Sequence, residues 1–343
     1  MTEKITRRAF AEAGTAAALT FGSLAFAEST SAQSPDRVIK AGMIGLDTSH
    51  VPEILQSLSR ATPGGPLDGV KVVAAYPGGT RDNSHSWSRV RQFTESTRKS
   101  GVEIVDSIEA LLKKVDAVIV TSVDGRPHLE QVKPVIAAGK PVYIDKPLAG
   151  TLADAVAIMR LAEKNHVPCF SSSSLRYSPD IIALADPAKV GKVLGCEAHS
   201  PCTLEEHHPD LFWYGIHGVE ILYTIMGPGC QSVTRVHTPG TDVAVGVWKD
   251  DRVGSFRGLR TGKQDYGATV YGSKANVCGG KYNGHEPIVV QIVKFFKTGK
   301  SPVPVEETLE LYAFMEAADE SKRQGGRPVS VQSVMEKAQA AAG

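Results

Sequence analysis

The sequence predicts an α/β chain of two domains: a doubly wound parallel sheet over residues 38–172, then residues 173–343 built on a mostly antiparallel open sheet with helices. Two observations predict this. Between Val38 and Ser172 short β-branched runs alternate with helical segments, the rhythm of a parallel sheet buried on both faces. After Arg176 the strand-like runs follow one another directly, which calls for antiparallel neighbours. A chain of 343 residues is long enough for two cores.

The elements follow in order. "TRRAFAEAGTAAALTFGSLAFAEST" has twin arginines, Arg7 and Arg8, then an Ala/Gly/Thr-rich run ending in "AFA". That is the pattern of a twin-arginine export signal over residues 1–27, with 28–37 as linker. The run is too short to span a membrane, and the reading expects a periplasmic or extracellular protein. "VIKAGMIG", "GVKVVAAY", "VEIVD", "VDAVIVTS", "PVYID" and "VPCFSS" are the strands of the first domain. "EILQSLSR", "SIEALLKK", "HLEQVKPVIAAG" and "LADAVAIMRLAEKN" read as its helices. In the second domain "KVLGCEAHSPC", "QSVTRVHT", "DVAVGVWKD", "RVGSFRGL" and "YGATVYGSKANVCG" read as strands, around an embedded helix "WYGIHGVEILYTIMG". Two further helices, "PIVVQIVKFFKTG" and "VEETLELYAFMEAADESKRQG", are placed to pack back onto the first domain.

Charge excludes two partner classes. The leader holds Lys4, Arg7 and Arg8 against Glu3 and Glu12, so its removal leaves a formally neutral chain. Neither nucleic acid nor an anionic membrane is expected as a partner. The five cysteines (169, 196, 202, 230 and 278) form no C-x-x-C. They read as core residues, although Cys196/Cys202 or Cys202/Cys230 could pair in an oxidising compartment.

The first loop, "GLDTSH", follows a buried strand and precedes a helix, the setting of a phosphate-binding turn. A G-x-G-x-x-G fingerprint falls on Gly45, Asp47 and His50, so only its first glycine is present. The second glycine normally lets backbone approach a pyrophosphate; Asp47 puts a carboxylate there, or else caps the helix for about 1 kcal/mol. The second strand ends in Tyr76 rather than an acidic ribose ligand, with Arg81 following its Pro-Gly-Gly turn. The fourth exits into Asp124 and Arg126.

Three segments are similar to the glucose-fructose oxidoreductase / inositol dehydrogenase (Gfo/Idh/MocA) family over nearly the whole mature chain. "PVYIDKPLAG" resembles the family's E-K-P segment, with Asp145 for Glu. "SSSSLRYSPD" resembles its R-[FY]-x-P, and "GIHGVEILYTIMG" its G-x-H-x-x-D helix, with Glu220 for Asp. The resemblance implies a Rossmann-type domain and oxidation or reduction of carbohydrates or polyols with NAD or NADP. It also implies a homo-oligomer, since the second sheet commonly mediates assembly in that family. Lys146 and His217 would be catalytic. Gly45, Leu46, Asp47, Thr48, Ser49, His50, Tyr76, Ser122, Asp124, His128, Asp145 and Lys146 would lie along the cofactor. Arg176, Tyr177, His208, Tyr214 and Glu220 would meet the substrate.

The residues support such chemistry directly. A lysine at a strand's buried end loses solvation, which brings its pKa towards neutrality and suits it to acid–base work on a hydroxyl. His217 can share that proton, and Glu220, three residues on, can orient the ring or bind another hydroxyl. Taken singly, Lys146 reads as a snorkelling strand-end lysine and His217 as a satisfied core histidine; together in this frame they read as a catalytic pair. His207, His208, Asp210 and His217 could ligate Zn²⁺ or Mn²⁺, but such clusters also line sugar pockets, and no metal is assigned. The four serines 171–174 lack a nucleophile elbow. Two rivals remain: proton transfer next to a carbonyl of a keto-sugar, as in elimination or hydration, without nicotinamide; and a non-catalytic carbohydrate-binding protein.

Overall fold

The computed structural model describes residues 37–343; the leader and most of the linker lie outside the described residues. The first sheet is made from β1 (Ile39–Ile44), β2 (Val70–Tyr76), β3 (Glu103–Ile104), β4 (Ala117–Val120), β5 (Val142–Ile144) and β6 (Cys169–Ser171). Its order is β3-β2-β1-β4-β5-β6 and every pairing is parallel. The order reverses between β1 and β4, so the crevice for ligands opens beyond the C-terminal ends of those strands. The crossover helices are α1 (His50–Ser59), α2 (Ser84–Lys99), α3 (Ile108–Leu112), α4 (His128–Ala137) and α5 (Leu152–Lys164).

The sequence reading differs here in two elements. The stretch "VEIVD" contributes only the two paired residues of β3, at the sheet edge. Helix α2, which the reading did not contain, is polar nearly all round, with only Ser86 and Thr97 fully buried. Its start is fixed by Asn83, whose side chain accepts from the Ser86 N–H at 3.1 Å, a cap worth about 1 kcal/mol.

Two short helices, α6 (Pro179–Ile182) and α7 (Pro187–Val190), lead into β7 (Val193–Pro201), α8 (Ile216–Met226), β8 (Cys230–Thr238), β9 (Thr241–Trp248) and β10 (Val253–Leu259). Next come β11 (Gly267–Gly272), β12 (Asn276–Gly279), α9 (Glu286–Thr298), α10 (Val305–Arg323), β13 (Val329–Ser330) and α11 (Val331–Ala341). The second sheet runs β12-β11-β7-β10-β9-β8-β13. It is antiparallel except where β10 lies parallel to β7. The expected last strand is a hairpin of two, and α11 is an element the sequence reading lacked.

Helix α9 returns to the first sheet, as expected. Ile288, Ile292, Val293 and Phe295 share a core with Ile39, Ala41, Met43, Val51 and Phe170. Each such side chain contributes about 1.5–3 kcal/mol on burial, enough to hold the segment before α9 against α1. Helices α8 and α10 cover one face of the second sheet, and Trp248, Phe256 and Phe314 pack between them. Cys169, Cys196, Cys202 and Cys230 are buried free thiols, whereas Cys278 is exposed on β12 rather than in the core.

Candidate active site

Lys146 stands just past the end of β5, and His217 in the first turn of α8. Both are buried, at 5% and 6% exposure. Burial lowers the Lys146 pKa, Asp145 opposing it and Arg89 assisting. Burial likewise holds His217 well below its ordinary value, reinforced by the Lys146 ammonium. At neutral pH the imidazole is therefore neutral, and the lysine reaches its free amine more readily than in water. The Lys146 Nζ lies 5.3 Å over the Tyr214 ring. Tyr214 and Tyr266 meet the His217 ring edge-to-face at 5.5 and 5.9 Å.

Ser173 Oγ, not Glu220, holds the His217 ring, through Nδ1 at 2.7 Å. This corrects the expected use of the i,i+3 spacing. The Glu220 carboxylate turns instead to Ser172 Oγ (3.0 Å), the Ser173 N–H (3.3 Å) and Arg176. Arg176 also donates to Glu307 at 2.6 Å. Glu220 and Arg176 thus tie the start of the second domain to α8 and α10, behind Lys146. Lys146, Arg176, Glu220 and Tyr312 line a space of about 10 Å³ there, room for about one water and no sugar. Tyr177 packs against the first core.

On its other side Lys146 borders a histidine cluster. Asp145 accepts from the Lys146 N–H at 2.8 Å, from Tyr143 Oη at 3.2 Å, and from His50 Nδ1. Burial raises the Asp145 pKa, but the His50 hydrogen bond and the Lys146 charge oppose it and the carboxylate stays ionised. Burial lowers His50, so the pair is a carboxylate held by a neutral imidazole. The His50 ring lies 4.0 Å from that of His285. His285 Nδ1 contacts Glu53 Oε2 at 2.7 Å and the Tyr282 hydroxyl. His285, Tyr282, Tyr266 and Arg89 were not singled out in the sequence. The only signal was a histidine before a Glu-Pro helix start.

The remaining residues expected along a cofactor divide between an open end and a closed middle. Tyr76, with Gly78, Gly79, Arg81, Trp87 and Gln131, lines a cavity of about 420 Å³ beyond the end of β2. That is the adenosine end of a doubly wound site. The middle is filled. Asp47 is fully buried, accepting from Ser86 Oγ at 2.6 Å and from the Val123 N–H at 2.9 Å. It does not cap α1, whose N-cap is Ser49 without a side-chain bond. Burial raises the Asp47 pKa against both hydrogen bonds. Gly45 has φ +90°, and a Cβ there would stand 2.3 Å from the Ser122 nitrogen, so the β1 loop already touches the β4 exit. Thr48 is buried beside Asp47 and Ser49 is exposed.

The closure extends sideways. Asn83 donates to Asp124 (3.5 Å), and Arg126 bridges Asp124 and Asp82, each at 2.7 Å. His208 Nε2 meets Asp124 at 3.1 Å and its Nδ1 meets Glu205 at 2.9 Å. Asp124 and His208 therefore strap the β2–α2 segment to the second domain. His128 is buried beneath the β4 exit, its ring nitrogens facing the Ser122 and Leu148 carbonyls. Leu46 is fully buried in the first core. The four candidate metal ligands have other partners. Asp210 pairs with Arg235 at 2.8 Å, while His207 pairs with Glu205 at 3.0 Å. At the second-glycine position a pyrophosphate would meet the Asp47 carboxylate, held there by Ser86 and Val123, and His50 fills the position next to Asp145. In this arrangement the residues fit the adenosine end and not the pyrophosphate.

Residues 39–173 match the profile of the GFO_IDH_MocA oxidoreductase family, described by its NAD-binding Rossmann fold. An inositol 2-dehydrogenase from Gluconacetobacter diazotrophicus is 33% identical over 167 residues, spanning 46% of this chain and 42% of that enzyme. The fold is similar to that of myo-inositol 2-dehydrogenase from Lactobacillus plantarum, with TM-score 0.71 at 17% identity. That similarity covers 86% of this chain and 99% of that one. It is also similar to that of GenD2 from gentamicin A biosynthesis, solved in complex with NAD, with TM-score 0.69 at 16% identity, covering 86% and 96%. At these identities the solved structures bear on the fold alone.

Proposed function

We propose, from the match of residues 39–173 to the Gfo/Idh/MocA oxidoreductase family model, that this chain is an oxidoreductase acting on a sugar, polyol or sugar derivative with NAD(P). Lys146 and His217 would be its acid–base pair. The supporting observation is the burial of both groups at the mouth of β5, with both pKa values lowered. NAD(P) would supply the hydride acceptor, with its adenosine end held at Tyr76, Gly78, Gly79 and Trp87. The rest of the nucleotide would run past the Asp47 carboxylate, which Ser86 holds in the crevice.

The chain's own residues do the following. Lys146, as free amine, takes the proton of a substrate hydroxyl. Asp145, ionised beside it, favours the resulting ammonium. His217, neutral and fixed by Ser173, hydrogen-bonds the same oxygen. Tyr214 and Tyr266 offer ring faces to a sugar. We further propose export through Arg7 and Arg8, and assembly into a homo-oligomer.

A second reading is favoured by Asp47 and His50, which stand in the crevice a dinucleotide needs. In it the same site transfers a proton next to a carbonyl of a keto-sugar, without nicotinamide. Two measurements separate the readings. Mass analysis of small molecules released on denaturing the fresh protein should find NAD(P) if the first holds. Turnover of a keto-sugar with no nucleotide present supports the second. Protein that binds sugar but turns over neither substrate class contradicts both and leaves a binding protein.

A further inference from the structure

His50 occupies the third glycine position of the fingerprint, where a side chain obstructs nucleotide binding. Its surroundings resemble a working base more than a plug. Nδ1 is bound to the ionised Asp145, which fixes the proton on that nitrogen and orients the ring, the arrangement that makes an imidazole a general base at its other nitrogen. Nε2 has no hydrogen bond among the described residues. His285 packs against the ring at 4.0 Å and is itself held by Glu53 and Tyr282, so the base is supported from behind. The Lys146 charge reaches His50, and a charge on His50 reaches His217. Five titratable groups therefore face His50: Asp145, Lys146, His217, His285 and Glu53.

We propose that His50 is a further acid–base group of this site, acting with Lys146 and His217 on the carbon next to the carbonyl of a keto-sugar. The proposal rests on the nicotinamide-independent reading given above. In the step, a C–H bond next to the carbonyl breaks and its proton passes to His50 Nε2. The electron pair forms the carbon–carbon double bond of an enolate. Negative charge gathers on the former carbonyl oxygen, where the Lys146 ammonium and His217 stabilise it. Return of a proton from His50 restores the ketone. No oxidant, reductant or metal enters the balance.

The test is hydrogen exchange. Methyl 3-keto-β-D-glucopyranoside is incubated in D₂O with full-length protein and no nucleotide, and loss of the ring proton signals next to the carbonyl is followed by NMR. Wild-type protein should catalyse exchange. His50→Gly should lower the rate about 100-fold or more, and added imidazole, which fits the vacated space, should restore part of it. Lys146→Ala should lose exchange without rescue by imidazole. Circular dichroism checks that each variant is folded. Exchange by His50→Gly at the wild-type rate, with Lys146→Ala inactive, overturns the role of His50 and leaves the proton-transfer reading standing. Loss in His50→Gly without imidazole rescue makes His50 a structural support and overturns its acid–base role. Wild-type protein that exchanges no proton overturns both.

Discussion

Replacing Asp47 by glycine should convert a closed crevice into a nucleotide site. The substitution removes a buried carboxylate from the position of the pyrophosphate and restores the backbone approach that the fingerprint needs. A unit charge pair about 5 Å apart interacts by about 3 kcal/mol at an effective dielectric of ~20. Relief of that repulsion is worth about 100-fold in Kd per phosphate charge. The cost falls on stability. Ser86 Oγ and the Val123 N–H lose their acceptor, at roughly 1–3 kcal/mol for each group left unsatisfied, less where water enters. Isothermal titration with NAD(H) and NADP(H) should show at least about 100-fold tighter binding than wild type, with a lowered thermal midpoint. A folded variant that binds no more tightly than wild type would refute the claim that Asp47 is what closes the crevice.

The outer face of the second sheet exposes Val236, Val247, Val253 and Tyr271, an apolar surface of the kind that marks an interface. Light scattering at micromolar concentration should find an oligomer, and a monomer contradicts the proposed assembly. Replacing Arg7 and Arg8 together by lysine should leave uncleaved precursor inside the cell; mature protein still appearing outside would defeat the export proposal. Asp319 gives a pH dependence whose sign follows from its burial, which raises its pKa from 3.8 to about 7 despite Arg235. A raised folded-state value stabilises below pH 3.8 and loses that contribution as pH rises through about 7. Asp242 and Asp210 are lowered and titrate below this window. Between pH 4 and 8 the melting temperature of wild type should therefore fall relative to Asp319→Asn, and parallel curves would show that Asp319 does not titrate there.

Much of the fold was legible because buried parallel strands are nearly continuous apolar runs, and β1, β2, β4, β5 and β6 each form within their quoted stretches. Helix α2 was not, because it buries so little that no apolar stripe marks it. Lys146 and His217 were legible from strand-end and helix context. The partner of His217 was not. Glu220 has the helical spacing for that role, yet Arg176 and two N-terminal donors of the adjoining turn bind it more strongly than a neutral ring would. His285 and Glu53 are 232 positions apart and meet only because α9 folds back on the first sheet. Asp47 was recognised as an intrusion, but its acceptance of Ser86, from the helix that left no pattern, could only be seen in three dimensions.

The claim that Lys146 is the acid–base centre can be tested without knowing substrate or cofactor. Lysine side-chain NMR signals, assigned by comparison with Lys146→Ala, can be followed against pH in the intact protein. Burial in this site predicts that Lys146 titrates below the ordinary lysine value of 10.5, and that Asp145→Asn moves it lower still by removing the neighbouring negative charge. A Lys146 that titrates at or above 10.5 would contradict the account.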